Sequence, residues 1–147
     1  VLYVLDQKGV PQIADLKNPD SLITVMEAFE DIRHRRVAIT ENEETEIITS
    51  FLMIDHGFSG EGPVLWETMI LRGGGAHEGY QARYNSLVEA VAGHRTAVEL
   101  AFPEGPPETL WGTLPSLRPD GTICQERVEE IVGLSVWERL MREEDLV

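Results

Sequence analysis

The segment that most limits what this chain can become runs from Phe51 to Met69, F-L-M-I-D-H-G-F-S-G-E-G-P-V-L-W-E-T-M. Two apolar runs flank a glycine-rich loop that opens on Asp55 and His56, and a lone carboxylate, Glu67, lies inside the second run. Short apolar runs separated by Gly57, Gly60, Gly62 and Pro63 predict a buried β-hairpin. Polar groups at its mouth must be paired, as an architectural lock or as a site.

The surroundings extend this hairpin into a fold class. Leu2 to Asp6 reads as a short strand and Gln7 to Pro11 as its turn. Asn18-Pro19-Asp20-Ser21 opens a helix, with proline tolerated in the first turn, and Leu22, Val25, Met26, Phe29 and Ile32 form a core-like stripe at helical spacing. Val37 to Thr40 is a strand. From Thr45 the chain becomes apolar on both faces up to Ile54, the mark of a strand central in its sheet. Val64 to Leu71 returns, and Gln81 to Tyr84 is an edge-strand candidate. Ser86 and Glu89 form a capping box for a helix that ends before Pro103. Consecutive strands on short links pair antiparallel, which gives an α+β fold. The expected sheet has about four strands, with two helices on one face. Residues 1–102 form this core. Residues 103–147 read as a Pro-rich linker and a helical tail, packed on the core or on a partner. Val128, Ile131 and Val132 keep helical spacing after Cys124, and a final helix from Ser135 to Glu144 carries Val136, Trp137, Leu140 and Met141 on one face.

Charge narrows the function classes. The 147 residues carry a formal charge of −14, with both the core and the tail acidic. No basic face is available for a phosphate backbone, so direct nucleic-acid binding is disfavoured and basic protein partners are favoured, including nucleic-acid-binding ones. The plainer reading of the charge is a solvated acidic surface. No apolar run reaches the roughly 20 residues of a membrane span. The first residues lack the basic flank of a secretion signal, and the single cysteine, Cys124, has no internal partner; a reducing cytoplasm is the expected home.

Four polar residues stand out. Asp55 and His56 end the central strand, Glu67 faces the side of Leu65 and Met69, and His94 sits within the apolar stripe of the second helix. If that stripe packs on the sheet, His94 points inward and can approach Glu67 or His56, a pairing that suits a general base or a metal ligand. Each residue also has a plainer role: His94 as a satisfied core histidine, Glu67 as a solvent-facing strand residue, Asp55 as a turn holder through backbone N–H groups. The spacing matches no zinc or iron signature, and the glycine loop lacks the Lys-Ser/Thr of a phosphate loop. No cofactor or metal is expected, and catalysis has no motif behind it.

R-R-V-A-I-T at 35–40, the hairpin at 51–70 and R-Y-N-S-L-V-E-A-V-A-G-H at 83–94 carry a resemblance. Together they are similar to a family of small proteins of phages and prophages of GC-rich bacteria, over about residues 35–101. That family shows an L-D-H-x-F/W-G-x-G-P hairpin, an E-T-M strand and an R-Y…A-G-H helix. The scarcity of lysine, with only Lys8 and Lys17 among twelve bases, fits a GC-rich genome. The resemblance implies an intracellular, phage-linked origin and no particular activity. Its matching polar positions are Asp55, His56, Glu67, Arg83, Tyr84 and His94. This chain departs from it at Leu87, where the family has tryptophan, and in the tail from Pro103 onward.

The expected function is therefore that of a small acidic accessory protein. It would bind and modulate or inhibit a bacterial host protein, such as a defence factor, with Trp111, Val136, Trp137, Leu140 and Met141 as contact residues. A small-molecule or metal site at the hairpin mouth, and self-association through the tail helix, are the alternatives.

Overall fold

The computed structural model describes residues 2–6, 8–30, 35–55, 57, 63–72 and 77–123, with backbone alone at 21, 28 and 29. A five-stranded antiparallel sheet organises them. β3 (Arg36–Glu41), β4 (Glu46–Phe51), β5 (Trp66–Leu71) and β6 (Gln81–Tyr84) form a meander, and β7 (Thr109–Trp111) pairs with β3, giving the order β6-β5-β4-β3-β7. β1 (Tyr3–Leu5) and β2 (Pro11–Ile13) form a separate hairpin, and α1 (Pro19–Glu30) and α2 (Leu87–Ala101) complete the elements.

Local chemistry accounts for the turns and caps. The Asp6 carboxylate accepts from the N–H groups of Lys8 and Val10 and holds the β1–β2 turn. Asn18 accepts from the Asp20 N–H at the start of α1, with Pro19 in the first position where its missing N–H costs nothing. Asn42 accepts from the N–H groups of Glu44 and Thr45 and closes the β3–β4 turn. Ser86 caps α2 by accepting from the Glu89 N–H, and its hydroxyl donates to the Glu89 carboxylate. That is a variant of the expected capping box.

α2 lies across one face of the sheet. β6 and β7 run in the same direction at opposite edges, so the helix joining them spans the sheet between. Its Leu87, Ala90, Val91, His94, Ala97 and Val98 are buried. Beneath them, β4 buries Ile47, Thr49 and Phe51, and β5 buries Trp66, Thr68 and Ile70, the alternation that a sheet covered on one side requires. Phe51 and Trp66 pack with ring centroids 4.8 Å apart.

Several expectations change. The main sheet has five strands rather than four, because β7 arises within the stretch expected as a linker and tail, and Leu114 and Leu117 beyond it are buried in the core. The N-terminal strand belongs to its own hairpin, joined to the sheet end where the Tyr3 N–H donates to the Met53 carbonyl. Of the described helices, α2 is the one that covers the sheet face; α1 packs beside β1. Of the stripe on α1, Val25 is buried, whereas Leu22 and Met26 are exposed; Ile32 and the Phe29 side chain lie outside the described residues. β4 ends at Phe51 and does not run to Ile54, since Met53 takes a left-handed φ of 67° that breaks the pleat. The central position of β4 stands as expected. Val128, Ile131, Val132 and the tail helix from Ser135 lie outside the described residues.

Candidate functional site

His94 is the most constrained polar residue of the covered face. It is fully buried, with Nε2 hydrogen-bonded to the Thr40 hydroxyl at 2.9 Å and Nδ1 to the Thr49 hydroxyl at 2.7 Å. Thr49 is bonded in turn to Thr68 at 2.6 Å, and Thr40 to Thr109 at 2.6 Å. Five side chains from β7, β3, α2, β4 and β5 thus form one chain of hydrogen bonds. Threonine suits this place because its hydroxyl both donates and accepts, so it serves whichever ring nitrogen lacks the proton. Trp111 lies against the imidazole, at 5.7 Å between centroids, and the Arg95 guanidinium sits 4.8 Å above the same indole. Burial, with the Arg95 charge adding to it, lowers the His94 pKa from 6.5 to about 4, so the ring is neutral at ordinary pH. Each ring nitrogen is already engaged by a hydroxyl, which makes His94 a lock between helix and sheet.

Glu67 sits on the opposite face. Its carboxylate accepts from Arg83 Nε at 2.8 Å and from the Gln81 amide at 2.6 Å. The expected approach of His94 to Glu67 does not occur, because neighbours in a strand point to opposite sides: Thr68 faces His94's side and Glu67 faces away. Arg83 goes with Glu67. Tyr84, one residue on, turns its ring to the helix side, where Gly93 leaves it room; a Cβ at Gly93 would come within 2.1 Å of the phenol oxygen. Burial raises the Tyr84 pKa. Asp55 holds the hairpin mouth by accepting from the N–H groups of Gly57 and Val64, at 2.7 and 2.8 Å. His56 lies outside the described residues, as do Val136, Trp137, Leu140 and Met141. Among the described residues, no group of three or more His, Cys, Asp and Glu side chains is placed to hold a metal.

The outer face of the sheet carries a feature that the residue-by-residue reading missed. Register places Leu110, Ile39, Ile48 and Met69 in one row across β7, β3, β4 and β5. Leu110 is 60% exposed, the other three are partly exposed, and no described helix or strand covers them. Polar pairs border the row. On one side Arg72 donates to both Glu41 and Glu46, at 2.9 and 3.1 Å; on the other lie Glu67 and Arg83. An apolar centre with a polar rim is the anatomy of a protein-binding surface. The signal was present in the two-sided apolar character of β4, but the row exists only once four strands are in register.

A cavity of about 220 Å³ opens beside β1 and α1, with Val4, Leu5, Phe51, Met53, Glu27 and Arg35 in its lining. It is smaller than the roughly 300–1,000 Å³ of ordinary ligand pockets. A second exposed apolar group, Ile13, Leu16, Leu22, Ile23 and Met26, lies on β2, the following loop and α1.

Compared with family models, curated proteins and solved structures, the chain matches none. No described helix is long and apolar enough to cross a membrane.

Proposed function

We propose that this chain is a small acidic binding protein of the phage-encoded kind, which docks on a bacterial host protein through the outer sheet face and modulates or inhibits it. The observation that carries this reading is the Leu110–Ile39–Ile48–Met69 row, apolar and uncovered by any described helix or strand, with ion pairs along both sides. The net charge of −14 supports a basic partner, such as a nucleic-acid-binding host factor, by speeding encounter and discouraging like-charged competitors. The binding reading is preferred to a His/carboxylate site because His94 and Glu67 lie on opposite faces and each already has its partners.

The test is capture of host proteins by the immobilised full chain at low salt, repeated with Ile48→Glu and Leu110→Glu. Both substitutions place a carboxylate in the row and leave the covered core alone. A partner retained by the native chain and lost by both variants, at unchanged thermal unfolding, supports the proposal. Equal retention by the variants, or no retained partner, refutes it.

A further inference from the structure

The cavity beside β1 and α1 has the make-up of a site for one small molecule. We infer that it binds a free aromatic amine, a single ring on a short chain that ends in an ammonium group. The cavity lies on the covered side of the sheet, the side to which Phe51 faces, and is separate from the docking row.

The first support is its place in the fold. β1, α1, the end of β4 with its exit, and the loop after β7 each contribute to the wall. Small-molecule sites favour such junctions between elements. Met53, in that wall, is fully buried yet holds a left-handed φ of 67°. That conformation is costly for a residue with a side chain, and it is fixed here by the Tyr3 N–H donating to the Met53 carbonyl at 2.7 Å. Strained backbone of this kind gathers at ligand clamps.

Size and lining set the body of the ligand. A cavity of roughly 150 Å³ admits benzene, so one of about 220 Å³ admits a ring with a short chain and is too small for a nucleotide. The buried members of the wall, Phe51, Met53 and Leu114, are apolar, and the exposed ones, Thr24, Glu27 and Thr113, are polar. The cavity therefore grades from apolar to polar toward solvent. A thioether and a phenyl ring within it favour an aromatic body over an aliphatic one.

Charge sets the head. Among the described residues no hydrogen bond or ion pair reaches the Glu27 carboxylate, whereas Arg35, which also lines the cavity, is already engaged. The open carboxylate suits an ammonium, and the hydroxyls of Thr24 and Thr113 can accept from the same group. A net charge of −14 also gathers small cations around the chain and repels anions.

Methyl NMR of the full chain, labelled at methionine, leucine and isoleucine, tests this at neutral pH with phenethylamine as the probe. Phenethyl alcohol and hydrocinnamate serve as its neutral and anionic counterparts. The amine should shift the Met53 and Leu114 methyls saturably and leave Ile39, Ile48 and Met69 in place. The alcohol should bind about two- to fivefold more weakly, the range expected for loss of one exposed ion pair, and hydrocinnamate more weakly still. Glu27→Gln, at an exposed helix position, should erase the preference for the amine and leave binding of the alcohol and thermal unfolding unchanged. Met53 and Leu114 methyls that do not respond to the amine overturn the inference. So do shifts centred on Ile13 and Met26 or on the outer row, tighter binding of hydrocinnamate, and a preference that survives Glu27→Gln. Capture of a host protein plays no part in this readout, so the amine site can fail while the docking face stands, and the reverse.

Discussion

At the residue scale, a histidine whose hydrogen bonds go only to hydroxyls behaves differently from one beside a carboxylate. A carboxylate would favour the imidazolium, whereas the threonines around His94 leave burial unopposed, and the ring is held neutral. The unfolded chain binds the proton at a pKa near 6.5 and the folded chain only near 4. The stability tied to neutral His94 is therefore complete above about pH 6.5 and falls as the pH drops toward 4, by about 3 kcal/mol in all. Urea unfolding across that window should show this loss superposed on the titration of the carboxylates. His94→Leu removes the histidine component and flattens the difference curve. At pH 7 the same substitution leaves the Thr40 and Thr49 hydroxyls without their ring partner and should cost about 1–3 kcal/mol. The plainer sequence reading of His94, a satisfied core histidine, describes these contacts, but its threonine partners were not visible: Thr40, Thr49, Thr68 and Thr109 come from four separate strands. Asp55 likewise holds its turn as its place before the glycine loop suggested.

At the element scale, boundaries marked by local chemistry were legible and those set by distant contacts were not. Ser86 opens α2 through its own side chain, a signal contained in four residues. Ser86→Ala should lower stability by about 1 kcal/mol, measured by denaturant midpoint at unchanged slope. β7 has no such signal. Three residues after a Pro-rich stretch become a strand because β3 offers an unpaired edge, and Gly112 lets the chains close: its N–H donates to the Val37 carbonyl at 2.7 Å. A Cβ at Gly112 would lie 1.8 Å from the Arg36 carbonyl oxygen, a backbone atom in the irregular step of β3. Gly112→Ala should therefore cost more than about 2 kcal/mol. Hydrogen exchange should show the amides of Thr109–Trp111 and their β3 partners losing protection before those of β4 and β5. The exposed stripe on α1 is the converse case. Leu22 and Met26 have the spacing of a core face, but α1 is set beside β1, and among its described side chains only Val25 is buried, in the cluster that holds Val37 and Phe51.

At the scale of the whole molecule, charge and layering set the behaviour. A chain carrying −14 repels itself when compact, and salt relieves that repulsion. Raising ionic strength from about 0.01 to about 0.15 M, which shortens the screening length from about 30 to about 8 Å, should raise the unfolding midpoint in urea. The same change should weaken capture of a basic partner, so stability and binding move in opposite directions with salt. The two faces of the sheet divide the roles: one is closed by α2 around a hydroxyl-linked histidine, the other presents an apolar row between ion pairs. Spacing and composition by themselves determined the α+β class, the hairpin, the central place of β4, the α2 cap and the net negative charge, because each depends on near neighbours or on sums over the chain. Tertiary structure alone decided that β7 completes the sheet, that His94 meets threonines, and that Glu67 faces away from it. Those outcomes depend on register between strands far apart in sequence, where moving one residue along a strand exchanges one face for the other.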